Sequence, residues 1–420
     1  MNPKIYPAAK HKIKQENIDQ DALSVLKRLR EAGHTAYLVG GSVRDLIVQI
    51  SPKDFDISTS AKPEEIKRLF RNSLLIGRRF RLAHIRFGKK VFEVSTFRSG
   101  DTGSSELILR DNEWGTPEQD VLRRDFTING LFYDPVKDEV IDYVGGCEDI
   151  KKKLLRTIGN PADRFVQDPV RMMRLLKFQA RFGFEVDFKA SRALHSCQEE
   201  ILKSSPARIL EETFKMLESG SSEPFFRLMV ESGLMGHLYP ALEHFLKGKY
   251  GKDVYSHLQV ADQLYHANMG KAPDRAVLTS CLIYPILLKE IDCQFLDRGV
   301  TPTLGEIFVL SHTLIRGFVT TSFPHFPRRL RTSMNFILDT QFRLTPITHK
   351  KMGRERNLSH EDFPSALKFL KLRSMLNDEL TETYSMWEQR FNNFYSRNPN
   401  TEREKPRRRS NYRRAPKNKP

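Results

Sequence analysis

The sequence predicts an α+β protein: a head in which strands and helices alternate, a long all-helical remainder, and a basic tail. Three observations carry this. Up to about residue 160, short apolar runs alternate with amphipathic helical patterns. From there to residue 395, strand signals fade and helical periodicity dominates. Residues 397–420 then hold ten Lys or Arg against two Glu, and no aliphatic residue larger than alanine. Such a segment cannot bury a core and is expected to be disordered in isolation.

The bulk composition sets bounds. At 420 residues, 39% apolar and 29% charged, the chain reads as soluble and globular, with room for two to four domains. A net charge of +17 favours a polyanionic partner, either nucleic acid or an acidic membrane surface. Cys147, Cys197, Cys281 and Cys293 form no C-x-x-C pair, which points to reduced thiols of a cytosolic protein and no zinc site. The first residues lack the apolar core of a signal peptide. The longest apolar run, 276–288, contains Pro285 and is too short to span a bilayer.

Taken in order, residues 1–20 read as a basic, loosely ordered arm. A helix is predicted over 21–32, with Leu23, Leu26 and Leu29 inward and Gly33 as its stop. The stretch Leu38 to Asp56, LVGGSVRDLIVQISPKDFD, organises the head. Tyr37-Leu38-Val39 closes a buried strand. Gly40-Gly41 follows, able to adopt backbone angles closed to other residues and to let a ligand approach. Ser42 is the expected N-cap of a helix whose Val43, Leu46, Ile47 and Ile50 form one apolar face, ended by Pro52.

A strand is expected from Lys53, with Asp54 and Asp56 on one face and Phe55 and Ile57 on the other. Two carboxylates so placed stay ionised together only with a cation between them. Backbone N–H groups of the glycine turn suit phosphate oxygens. Alone, each piece is a common surface feature. Their order and spacing point to a nucleotide site with magnesium.

Residues 61–70 read as another helix, with Pro63 in its first turn. Two apolar segments flank Gly77-Arg78-Arg79, and 91–97 alternates as a strand with Glu93 on the same face as Val91 and Ser95. The polar, Gly-containing run 99–118 is long for a connection and reads as a mobile loop. Arg123-Arg124-Asp125 leads into a hairpin over 131–143, and the head ends near Gly159-Asn160-Pro161.

The motifs LVGGSVRD, KDFD, RRDFTING, DYVGG and DRFVQDPVRMMR, in this order over residues 36–182, resemble nucleotidyltransferases of the polymerase-beta-like superfamily. More narrowly, they resemble the branch that holds bacterial poly(A) polymerases and CCA-adding tRNA nucleotidyltransferases. The resemblance implies a small mixed β-sheet head with helices on one side, over 21–160. A helical neck over 161–250, a helical body over 251–396 and the RNA-binding tail over 397–420 follow.

Carried over by residue, Gly40, Gly41 and Arg44 look like the phosphate-binding turn, and Asp54 and Asp56 like the magnesium ligands. Arg124 resembles the nucleotide-binding arginine. Asp125 resembles a third catalytic acid, with Glu93 its competitor. Asp168 and Arg171 look like the pair that reads the base. Arg174 and Lys177 are expected to contact the triphosphate.

Base reading has a physical basis. Adenine offers an amino donor beside a ring acceptor, which Asp168 and Arg171, one helical turn apart, can match. One departure stands out: Gln167 occupies a position where the family usually has an acid. The stretch Leu75 to Ile85 resembles the poly(A) polymerase signature rather than the Thr-Gly and His-Gly-Thr of CCA-adding members.

The expected function is therefore template-independent addition of adenylate from ATP to RNA 3′ ends, with Mg2+ as cofactor and pyrophosphate released. CCA addition is the alternative, and a non-catalytic RNA-binding protein the alternative of another class. The two carboxylates speak against the last. RNA 3′ ends and RNA-decay proteins are the expected partners of a monomeric, cytoplasmic enzyme with no membrane span.

Overall fold

The computed structural model describes residues 2–76, 82–99, 113–322 (side chains to 318), 326–347 and 357–397. The readings made on Gly77, Arg78 and Arg79, on most of the 99–118 loop and on nearly all of the tail lie outside these residues. The chain divides into two compact units, Met1–Gly248 and Lys249–Pro420.

In the first unit the chain runs β1 (Lys4–Pro7), α1 (Gln20–Glu31), β2 (Ala36–Val39), α2 (Gly41–Ile47), β3 (Asp56–Thr59), α3 (Pro63–Leu69), β4 (Ser73–Ile76), β5 (Leu82–Phe87) and β6 (Lys90–Thr96). It continues through β7 (Arg98–Ser99), β8 (Glu113–Trp114), α4 (Pro117–Leu122), β9 (Leu131–Asp134), β10 (Glu139–Asp142), α5 (Gly146–Lys152), β11 (Leu154–Leu155), α6 (Pro161–Gln167) and α7 (Val170–Phe182). After β12 (Glu185–Val186) it is helical: α8 (Phe188–Ser196), α9 (Pro206–Leu217), α10 (Ser222–Glu231), α11 (Leu234–Leu238) and α12 (Pro240–Lys247).

Eight strands form one mixed sheet in the order β1-β10-β9-β2-β3-β6-β5-β4. Only β3 and β6 pair in parallel within it; the remaining neighbours are antiparallel. Strand alternation sorts its two faces. On β5 and β6, Ala83, Ile85, Phe92 and Val94 are buried, with α3 packed against β5. His84 and Glu93 stand opposite each other on the other face. α1 follows its helical stripe: Ala22, Val25, Leu26 and Leu29 are buried, and Asp19 caps it by accepting from the Asp21 N–H at 2.8 Å.

Several readings change. The first twenty residues are not a loosely ordered arm: β1 adds an edge strand beside β10, and Tyr6, Ile13 and Ile18 are buried. Their apolar side chains are too sparse among lysines to show as a pattern. α2 is shorter than expected, because the chain turns at Gln49 with φ 61° rather than at Pro52. Ser42 does not cap it; its hydroxyl donates to the Val39 carbonyl at 3.1 Å, and Gly40 takes the cap position. The strand carrying the aspartates starts at Asp56, so Asp54 lies on its approach. Part of the 99–118 stretch is ordered, as β8 paired with β7 and as the Thr116 cap of α4.

Among the described residues the second unit is helical: α13 (Gly251–Ala267), α14 (Arg275–Gln294), α15 (Leu304–Ser322), α16 (Arg328–Leu344), α17 (Phe363–Ser374) and α18 (Thr381–Arg397). Leu344, Leu358, Phe363, Leu367, Leu370 and Trp387 form a core cluster. α14 runs through Pro285 without ending, since the helix around it is buried on most sides and packing outweighs the lost hydrogen bond. Among the described residues no helix is long and apolar enough to cross a membrane.

Candidate active site

Antiparallel pairing sets Val39, the last residue of β2, opposite Asp56, the first of β3. This brings the glycine turn and the aspartates to one end of the sheet. Gly40 has φ 71° and ψ −125°, a conformation open essentially to glycine alone. A Cβ there would also stand 3.1 Å from Arg124 Nη1.

Asp54 and Asp56 are both exposed. Parallel pairing of Ile57 with Val94 places Glu93 beside Asp56, and Glu93 in turn meets His84 Nε2 at 3.2 Å. The Asp56 carboxyl is pushed up to about 6 by partial loss of hydration, then by Glu93 and Asp54, with Arg124 opposing. Solvent access moderates the first cause, and both carboxylates act in the same direction, so the upward direction stands. A hard divalent cation held by two carboxylates, with its other positions left to water and phosphate oxygens, fits this donor set. Among the described residues no group of three or more His, Cys, Asp and Glu is arranged to hold a metal ion.

Arg124 links these carboxylates to the rest of the site. It donates to Ser58 Oγ at 3.3 Å and to Asp120 Oδ2 at 2.8 Å. Arg123 donates to the other Asp120 oxygen at 3.2 Å. Burial pushes the Asp120 carboxyl up, but the two guanidiniums outweigh it and hold it low.

Beside them lies a cavity of about 360 Å³. Arg44, Arg123, Arg124, Arg171, Arg174, Lys177 and Arg181 line it, and among the described residues Asp125 is the one carboxylate in its wall. α7 supplies four of these cations, at three- and four-residue steps along one face. Gly41, Asn129 and Phe178 complete the lining.

Each cation is tied. Arg44 is buried, donates to Asp45 Oδ1 at 2.7 and 2.9 Å, and stacks over Phe178 and Phe182 at 4.9 and 4.7 Å. Burial lowers its pKa against the pull of Asp45. Arg181 reaches the other Asp45 oxygen at 2.9 Å. Lys177 meets Glu212 of α9 at 3.2 Å; burial depresses its ammonium to about 8, with Glu212 opposing.

Asp125 does not join Asp54 and Asp56. It is buried, accepts from Phe126 N–H at 2.8 Å and Asn129 Nδ2 at 3.0 Å, and lies 2.8 Å from Arg174 Nη2. Burial raises its pKa, but Arg174 and these hydrogen bonds prevail and hold it low. The expected third acid thus stands apart from Asp54 and Asp56 in this structure. The carboxylate is used in holding Arg174, and Glu93 is the acid beside Asp56.

Asp168 and Arg171 are adjacent, yet only Arg171 lines the cavity. The Arg171 N–H donates to the Asp168 carbonyl at 3.0 Å. Its guanidinium donates to the carbonyls of Arg164 at 3.0 Å and Arg123 at 3.3 Å, leaving further N–H groups of its five. Asp168 is gripped by Arg208 of α9. Gln167, at the position of the missing acid, is buried and accepts from Arg164 at 2.8 Å.

Sequence reasoning missed Asp45, Asp120, Arg181, Arg208 and Glu212. Two of them left a signal. Asp120 precedes Arg123 and Arg124 by three and four residues in a helical stretch, and Arg181 follows Lys177 by four.

The mixed-sheet head, the carboxylate pair and the cationic cavity define a nucleotidyltransferase. Comparisons narrow the class. The family model described as "Poly A polymerase head domain" matches residues 36–156. "Probable RNA and SrmB- binding site of polymerase A" matches 183–246, and "Polymerase A arginine-rich C-terminus" matches 320–420. Poly(A) polymerase I of Escherichia coli O6:H1 is 34% identical over 91% of this chain and 84% of its own. A CCA-adding enzyme of Bacillus velezensis is 36% identical over 52% of this chain and 55% of its own. The fold is shared with the crystal structure of the Bacillus stearothermophilus CCA-adding enzyme in complex with CTP, at TM-score 0.61, 24% identity, and coverage of 89% and 82% of the two chains. The chain belongs to the poly(A) polymerase family and is a polynucleotide adenylyltransferase.

Proposed function

We propose that this enzyme binds ATP in the cationic cavity and transfers AMP, without a template, to the 3′-hydroxyl of RNA. The 3′-oxygen forms a bond to the α-phosphorus, the bond from that phosphorus to pyrophosphate breaks, and the hydroxyl proton is released. The observation that carries this reading is the cavity wall: seven cations against one carboxylate, adjoining two exposed aspartates. A triphosphate is the ligand whose charge answers such a wall.

Arg44, Arg124, Arg174 and Lys177 neutralise phosphate oxygens and retain the leaving pyrophosphate. Gly40 and Gly41 let a phosphate approach the backbone. Asp54 and Asp56 would hold a divalent cation, magnesium, which when bound supplies Lewis-acid stabilisation of phosphoryl charge. Asp168 accepts from the adenine amino group and Arg171 donates to its ring nitrogen. The helical regions and the basic tail hold the RNA backbone, and the segment 183–246 is the proposed contact for RNA-decay proteins. The enzyme works in the cytoplasm as a monomer.

CCA addition shares these residues. The longer match to poly(A) polymerase I and the arginine-rich terminus favour adenylate tails. The test is to incubate pure protein with magnesium, a generic RNA and each NTP separately. Long tails from ATP alone support the proposal. One or two nucleotides added only to tRNA lacking its end would favour CCA addition, and no extension would leave an RNA-binding protein. Deleting 398–420 should lower RNA affinity and flatten its salt dependence without changing NTP preference.

A further inference from the structure

We infer that Arg208, on α9, is a positioning residue for base choice: it holds the Asp168 carboxylate off Arg171 and keeps it an acceptor. This rests on the base-reading roles proposed above for Asp168 and Arg171.

The geometry is a two-point grip. Arg208 Nη1 lies 2.9 Å from Asp168 Oδ1, and Nη2 donates to Oδ2 at 3.0 Å. One aligned hydrogen bond and one close charge contact hold the carboxylate toward α9. The grip leaves capacity: Oδ1 is buried and receives no aligned hydrogen bond. A buried acceptor with an open lone pair is what an amino group of a nucleobase would satisfy.

Arg171 is the competitor for that carboxylate. The two residues are joined by a backbone hydrogen bond at the start of α7, and Asp168 is the strongest charge acting on the Arg171 guanidinium. Released from Arg208, Asp168 has Arg171 as its next cation. That pairing would consume both recognition groups at once, and the pocket would lose its contrast between bases. Arg208 prevents it from a different helix, forty residues on in the chain.

α9 is itself fixed by a second contact. Glu212, one helical turn after Arg208 on the same face, meets Lys177 of α7 at 3.2 Å. α9 thus supplies the counter-charge both to the base reader and to a cation of the phosphate cavity. A surface ion pair without this role would add little to stability and would leave base choice alone.

The test uses the full chain with an RNA primer and measures kcat/KM for ATP, CTP and GTP. The proteins are wild type, Arg208→Gln, Arg208→Lys and Asp168→Ala, each with its melting temperature. Arg208→Gln should cut the preference for ATP by about tenfold or more, chiefly through KM, with a small melting shift. Arg208→Lys, which keeps one charged contact, should recover part of it. If Asp168→Ala loses preference while Arg208→Gln stays within about twofold of wild type, the inference is overturned and the base-reading assignment survives. If Asp168→Ala keeps its preference, that assignment fails and the inference with it. Should Arg208→Gln fold poorly, Arg208→Lys carries the test: an intermediate preference supports the inference, and a wild-type one overturns it.

Discussion

Arg174 and Asp125 form an ion pair in the wall of the cationic cavity, Nη2 to Oδ2 at 2.8 Å, with the carboxylate buried. If Arg174 binds phosphate as proposed, the acid acts by placing that cation. Asp125→Asn should lower the melting temperature and raise the KM for ATP together. Arg174 is about a third exposed, so the loss should fall below the ~3–5 kcal/mol of a fully buried pair. A variant that loses turnover at unchanged stability and unchanged KM would return Asp125 to the reacting acids.

Glu93 is predicted to behave in the opposite way. It is exposed and stands beside Asp56, with His84 holding it. Glu93→Ala should cost turnover while thermal stability stays within about 0.5 kcal/mol, as for most surface substitutions. Full activity in this variant would show that the carboxylate pair acts without it.

Lys177 gives a pH signature. Its ammonium, depressed to about 8, is charged below that pH and loses its charge above it. If it grips the triphosphate, the KM for ATP should climb as pH rises through about 8. Lys177→Met should raise KM by about tenfold near neutral pH, the loss of one charge-assisted contact, and abolish the climb. An identical pH profile in wild type and variant would remove Lys177 from the phosphate site.

His257 gives the helical unit a predicted acid sensitivity. It is buried, its Nδ1 lies 2.7 Å from the Asp253 carbonyl, and its ring lies among Tyr284 and Phe369. Burial, then the Arg373 charge, depress it from 6.5 to about 4 against the Asp253 carbonyl and carboxylate. The unfolded chain therefore binds a proton before the folded one does, and stability falls as pH drops from 6.5 to about 4. The loss approaches about 3 kcal/mol. Denaturant unfolding across this window should show it, and His257→Phe should flatten the slope. An unchanged slope would place the acid sensitivity elsewhere.

Much of this was readable in one dimension. Arg171, Arg174 and Lys177 came with the resemblance around the DRFVQDPVRMMR motif, and helical spacing adds only that they share a face; Glu93 was legible from strand alternation. The aspartate pair was legible as a motif, but its nearness to Gly40 depends on the Val39–Asp56 register, which only pairing reveals. The counter-charges were hidden for the same reason. Arg208 is forty residues from Asp168, and Arg174 is forty-nine from Asp125. No local pattern says that a buried carboxylate has already been claimed. β1 escaped because four residues at a sheet edge carry too little alternation to stand out among lysines.

The measurement closest to the central claim is primer extension with ATP by Asp54→Asn and Asp56→Asn, alongside their melting curves. Each variant should keep less than about a tenth of the wild-type rate, since a lost cation ligand removes several kcal/mol of transition-state stabilisation. Melting temperatures should be unchanged or slightly raised, because the folded protein already disfavours charge on Asp56. Near-wild-type extension by either folded variant would contradict that claim.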